Sequence, residues 1–138
     1  MNLAFTPAKT LILLIEDDPA DSILIKEQLH ALSPHAEVEA AKSLKEGLIA
    51  YHHRKPDLIL LDLNLPDGMG PRSVLEIRRY CKTTPIIVLT GIAPDVTKEE
   101  ATKNGANAVL QKTALTKDER FKQILSQFIS TVDDVEKE

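Results

Sequence analysis

Leu58-Ile59-Leu60-Leu61-Asp62 is a run of four branched apolar residues closed by a carboxylate. A strand with one wet face alternates polar and apolar residues. A short unbroken apolar run instead reads as a strand buried on both faces, the pattern of a parallel sheet. Three more runs of this kind stand on either side of it, at Leu11–Ile15, at residues 85–89 and at residues 108–110. A weaker strand is expected at residues 37–40. Helical stretches fall between the strands. Asp18 followed by Pro19 reads as an N-cap and first helical position, opening a helix to about Leu32. Ser43 caps the next, which ends near Arg54. Pro71 opens a third, expected to reach about Cys81 and to leave that cysteine partly buried at its end. A fourth spans Asp95–Asn104, stopped by Gly105. In the last, Phe121, Ile124, Leu125, Phe128, Ile129 and Val132 form one apolar stripe at helical spacing. Strand and helix thus alternate five times, which predicts a parallel sheet between layers of helices.

The chain has 138 residues, enough for one domain with one core. Its formal net charge of −4 argues against a basic surface for nucleic acid. With a single cysteine, Cys81, no internal disulfide is possible, which suits a reducing, cytoplasmic setting. No stretch is apolar for long enough to span a membrane. The histidines His30, His35, His52 and His53 lack metal-ligand spacing and are expected to face solvent.

In such a sheet, ligands bind beyond the carboxyl ends of the strands. Glu16, Asp17 and Asp18 follow the first strand, Asp62 closes the third, Thr90 follows the fourth and Lys112 the fifth. Acids, a hydroxyl and a lysine therefore meet at one edge. Asp18 is accounted for as a helix cap. Glu16, Asp17 and Asp62 repel one another and need a counter-charge, which a hard, oxygen-seeking cation such as Mg²⁺ supplies. A carboxylate beside Mg²⁺ and a lysine is equipped to attack a phosphoryl donor, giving an aspartyl phosphate on Asp62. Thr90 would then donate its hydroxyl to the new group.

These residues resemble the response-regulator receiver family. The resemblance rests on Glu16-Asp17 after the first strand and on Asp62-Leu-Asn-Leu-Pro66-Asp-Gly-Met-Gly70. It rests also on Thr90 followed by the small Gly91, and on Lys112. The intervals of 45 residues from Asp17 to Asp62, 28 to Thr90 and 22 to Lys112 are similar to the family's. Four motifs in order, each at a strand end, make a specific match. The resemblance implies an α/β fold with a five-stranded parallel doubly wound sheet, (βα)5 and flavodoxin-like, in strand order 2-1-3-4-5. It implies that Asp17 and Asp62 ligate Mg²⁺, that Asn64 adds its main-chain carbonyl and that Glu16 acts through water. It also implies a histidine kinase or phosphotransfer protein as donor, or a small phosphodonor. The readout would be a protein target, with neither nucleic acid nor membrane involved, at the face of the fourth helix, fifth strand and last helix.

Two positions depart from the family. Val109 stands where an aromatic ring is usual, and Thr113 where proline often follows the lysine, so a Lys112–Thr113 bond that is trans in at least part of the population is expected. The expected layout is a short extension at 1–9, the domain at 10–132 and an acidic tail at 133–138. Met1 and that tail fit a stand-alone protein, the alternative being the receiver of a longer one. Two rival functions are a phosphohydrolase with an aspartate nucleophile and a module that only binds partners. The first would place a second acid at position 64, which holds Asn64. The second is disfavoured by the intact Glu16, Asp17, Asp62, Thr90 and Lys112 set. The fourth helix, with Val96 its one sizeable apolar side chain, is expected to be weakly held and to move.

Overall fold

In a computed structural model, residues 9–91, 94–114 and 119–129 are described. The strands are β1 (Leu11–Ile15), β2 (Glu37–Ala41), β3 (Leu58–Asp62), β4 (Ile86–Thr90) and β5 (Ala108–Gln111). The helices are α1 (Pro19–Leu32), α2 (Leu44–His53), α3 (Arg72–Arg78), α4 (Asp95–Asn104) and α5 (Arg120–Leu125). The strands form one parallel sheet in the order β2-β1-β3-β4-β5.

The unbroken apolar runs follow from the pleat. Successive side chains point to opposite faces, and here both faces are covered. Leu13, Ile15, Ile59, Leu61, Ile86 and Val88 join one core with Leu44 of α2, Ile77 of α3 and Ala101 of α4. Ile12, Leu14, Leu58, Leu60, Ile87 and Leu89 join the other with Ile25 and Leu29 of α1 and Phe121 and Leu125 of α5. Neither face has room for a polar alternate.

Local chemistry sets the helix ends. Asp18 Oδ1 accepts the main-chain N–H groups of Ala20 (2.8 Å) and Asp21 (3.1 Å), so Asp18 is the cap of α1. Replacing it by alanine is expected to lower stability by about 1 kcal/mol, read as a shifted urea midpoint. Ser43 Oγ accepts the Glu46 N–H at 3.0 Å. Gly105 ends α4 with φ of +121°, a conformation that disfavours any Cβ.

Three expectations need correction. Helix α3 ends at Arg78, short of Cys81. The Arg78 guanidinium caps this region instead, donating to the carbonyls of Cys81 (3.2 Å), Thr84 (2.7 Å) and Gly105 (2.8 Å), which turns the chain toward β4. Cys81 is fully buried rather than partly so, packed in the core under α3. Helix α5 ends at Leu125, before the end of the expected stripe, and Phe128 and Ile129 follow it outside the helix while still packing in the core. Val96 is 71% exposed and Ala101 is the one residue that α4 buries, in keeping with a weakly held helix. The four histidines are exposed as expected, with His52 edge-on to the rings of Tyr51 and Tyr80. No peptide bond among the described residues is cis, so Lys112–Thr113 is trans. The end of the last stripe, at Val132, the extension up to residue 8 and the acidic tail lie outside the described residues.

Candidate functional site

The connection after β1 leads to β2 on one side of the sheet and that after β3 leads to β4 on the other, which opens a crevice at the carboxyl ends of β1 and β3. Ile15 pairs with Leu61, which sets Glu16 beside Asp62. Asp62 in turn pairs with Leu89, one residue before Thr90. The Lys112 N–H donates to the Thr90 carbonyl at 2.8 Å, carrying the lysine to the same edge. The topology thus gathers the residues expected there.

Ligand oxygens of Glu16, Asp17 and Asp62 lie within 4.8 Å of one another. Glu16 and Asp62 are buried and Asp17 is exposed. Asp62 Oδ1 accepts the Asn64 N–H at 3.1 Å, while Oδ2 faces the Lys112 ammonium at 3.4 Å. Glu16 Oε2 accepts the Asp18 N–H at 3.1 Å. Glu16 Oε1 is 2.7 Å from the Lys112 ammonium, an ionic contact without hydrogen-bond alignment, and it is otherwise an orphaned buried oxygen. An all-oxygen set with an open lone pair suits a hard divalent cation, which these three carboxylates could hold between them. Thr90 is buried at the strand end.

Burial pushes the Glu16 carboxyl up to about 7; Lys112 and the Asp18 N–H pull the other way, and the neighbouring Asp62 adds to the rise. Burial pulls the Lys112 ammonium down, but its contacts with Asp21 and Glu16 outweigh this and hold it above the usual lysine value. The folded form therefore keeps the Glu16 proton more tightly than the unfolded chain, whose value is near 4.5. That contribution to stability is full below about 4.5 and is lost as pH rises through about 7. In chelator, urea midpoints should fall across this window and should flatten in Glu16→Gln. Equal slopes in both proteins would remove Glu16 as the cause.

Two acids missed in the sequence belong to this neighbourhood. Asp21, in the first turn of α1, binds the Lys112 ammonium at 2.8 Å. Asp67, after Pro66, accepts the N–H groups of Leu44 (2.8 Å) and Lys45 (3.0 Å) and so clamps the loop after β3 to the start of α2. These main-chain donors lower its carboxyl pKa, against the opposing effect of burial. The one hint for Asp21 was an acid in the helical turn directly after the acid pair.

Residues 12–125 match the description of the response regulator receiver domain. The chain belongs to the response regulator receiver family. Among curated proteins it is similar to the KDP operon transcriptional regulatory protein KdpE of Escherichia coli, 35% identical over 103 residues, which cover 75% of this chain and 44% of that protein. It is also 28% identical to a protein-glutamate methylesterase/protein-glutamine glutaminase 2 of Methanospirillum hungatei, over 88% of this chain and 35% of that one. The receiver chain thus spans half or less of these relatives. The chemotaxis protein CheY4 of Vibrio cholerae has a similar solved structure, with a TM-score of 0.76 and 26% identity over 88% of this receiver and all of that chain. A CheY-like receiver domain protein from Methanospirillum hungatei superposes with a TM-score of 0.74 at 25% identity, over 88% and 94% of the two chains. No helix among the described residues of the receiver is long and apolar enough to cross a membrane.

Proposed function

We propose that Asp62 accepts a phosphoryl group in a Mg²⁺-dependent reaction and that the modified domain changes its protein contacts. The donor is a histidine kinase, a phosphotransfer protein or a small phosphodonor in the cytoplasm. The domain is read as residues 10–132, between a short extension and an acidic tail. The observation that carries this reading is a buried Asp62 whose two oxygens meet an N–H donor and a lysine, inside a cluster of three carboxylates.

An Asp62 oxygen attacks the phosphorus while the bond to the donor's leaving oxygen or nitrogen breaks, and the leaving group departs with the electron pair. Asp17 and Asp62 would hold Mg²⁺, together with the Asn64 main-chain carbonyl, and Glu16 would support it through water. When bound, the ion offsets charge on the transferring phosphoryl oxygens. Lys112 contributes a second positive charge, and Thr90 a hydroxyl donor once the group is in place. Asn64 offers no general acid to a leaving group, which favours self-phosphorylation over turnover of an external substrate. Transcriptional regulation and methylester hydrolysis, named in the relatives, belong to proteins of more than twice the matched length.

The signal is read at the α4–β5–α5 face. Val109 is small, branched and packed in the core, so it offers no swinging ring. Helix α4 is held mainly at its far end, where Asn104 Nδ2 donates to the Pro71 carbonyl at 3.0 Å and Arg78 binds Gly105. Its first turns bury nothing. Phosphorylation should therefore shift residues 91–105, of which Ile92 and Ala93 lie outside the described residues, chiefly at the start of α4. Hydrogen exchange with and without beryllofluoride tests this. Protection changes confined to α1 and α2 would mean that the signal leaves elsewhere.

A further inference from the structure

The Lys112 ammonium has three hydrogens and, among the described residues, three carboxylate neighbours. It lies 2.7 Å from Glu16 and 2.8 Å from Asp21, but 3.4 Å from Asp62. The lysine thus sits closer to Glu16 and Asp21 than to the acceptor, with which it keeps a longer hydrogen bond. Asp21 is not one of the three clustered acids that would hold a metal. Its place is fixed by the cap of α1, because its own N–H is bound by Asp18.

A phosphoryl group arriving on Asp62 brings oxygens that need the ammonium, so one present partner must give way. The side chains of Glu16 and Asp62 are 1% and 4% exposed, whereas that of Asp21 is 40% exposed. In the acyl phosphate Asp62 no longer carries its carboxylate charge, and a bound Mg²⁺ would offset that of Glu16, whereas Asp21 keeps its charge outside the metal cluster and is taken up by water at small cost once the lysine leaves it. Asp21 is therefore the partner that releases the lysine.

Building on the reading of Asp62 as phosphoryl acceptor, the geometry points to Asp21 as a positioning residue, a releasable anchor that holds Lys112 off Asp62 in the unphosphorylated domain and lowers its affinity for a phosphoryl group. It touches no reacting atom and acts through Lys112.

The test is beryllofluoride affinity in saturating Mg²⁺, read by ¹⁹F NMR, together with the Lys112 Nζ resonance of the free proteins. Asp21→Ala should bind about threefold tighter or more, the size expected for loss of a half-exposed competing ion pair. Its free Lys112 Nζ resonance should move toward that of the beryllofluoride-bound unchanged protein. Asp21→Asn, which keeps the size and removes the charge, carries the same expectation if the alanine variant folds poorly. Unchanged or weaker affinity at an unaltered urea midpoint overturns the inference. So does tighter binding with the Lys112 resonance unmoved, which would mean simple repulsion of the anion by Asp21. No beryllofluoride binding by the unchanged protein would overturn the phosphoacceptor reading itself, and the inference with it.

Discussion

Asp62→Asn should take up no phosphoryl group from acetyl phosphate in Mg²⁺, where the unchanged domain gains one. An amide oxygen is a poor nucleophile, and the acyl phosphate it would have to form has no stable counterpart on an amide. The substitution keeps the size of a residue that is 3% exposed and paired through the main chain with Leu89. Loss of uptake would then come from lost chemistry rather than a lost fold, and an unchanged urea midpoint would establish that. Intact-mass spectrometry reads the result directly. Uptake by Asp62→Asn equal to that of the unchanged protein would show that the phosphoryl group is carried elsewhere.

Asp17→Asn is expected to remove most Mg²⁺ affinity. Asp17 is the exposed member of the three-carboxylate cluster, and the substitution removes one of the charged oxygen donors that a divalent ion meets there. Loss of an outer-sphere partner typically weakens a metal site by roughly 10–100-fold, and loss of a charged direct ligand should match or exceed that. Asp18→Ala separates ligand from cap, because the Asp18 carboxylate is spent on the Ala20 and Asp21 N–H groups. Calorimetric titration should show its Mg²⁺ affinity nearly unchanged. Comparable losses in both variants would put Asp18 in the metal site and undo the division between the two neighbours.

The sheet was legible because burial on both faces writes itself as unbroken apolar runs such as Leu58–Leu61, which neither a solvated strand nor a loop sustains. The clustered site was legible for a related reason. In a parallel sheet every strand points the same way, so the residues after each run must share an edge, and Glu16, Asp62 and Lys112 were brought together by that rule alone. What could not be read depended on side-chain reach rather than on pattern. Asp21 looks like any first-turn acid favoured by the helix dipole, and only the course of the Lys112 side chain makes it part of the site. Asp67 acts across 22 residues on the start of α2, a contact that no local signal announces. The early end of α3 has the same origin. Cys81 and Arg78 suit a helix well enough, but the Arg78 guanidinium binds three carbonyls outside it and fixes a turn there.

The central claim is that one side chain, Asp62, carries the phosphoryl group. Trapping answers it most directly. The domain is incubated with acetyl phosphate and Mg²⁺, the acyl phosphate is reduced with borohydride to a stable alcohol, and the digested peptides are mapped by mass spectrometry. The account predicts conversion of Asp62 to homoserine and of no other acid, with none converted when chelator replaces Mg²⁺. Conversion at Asp17 or Glu16, phosphate retained on a histidine, or labelling that persists in chelator would contradict it.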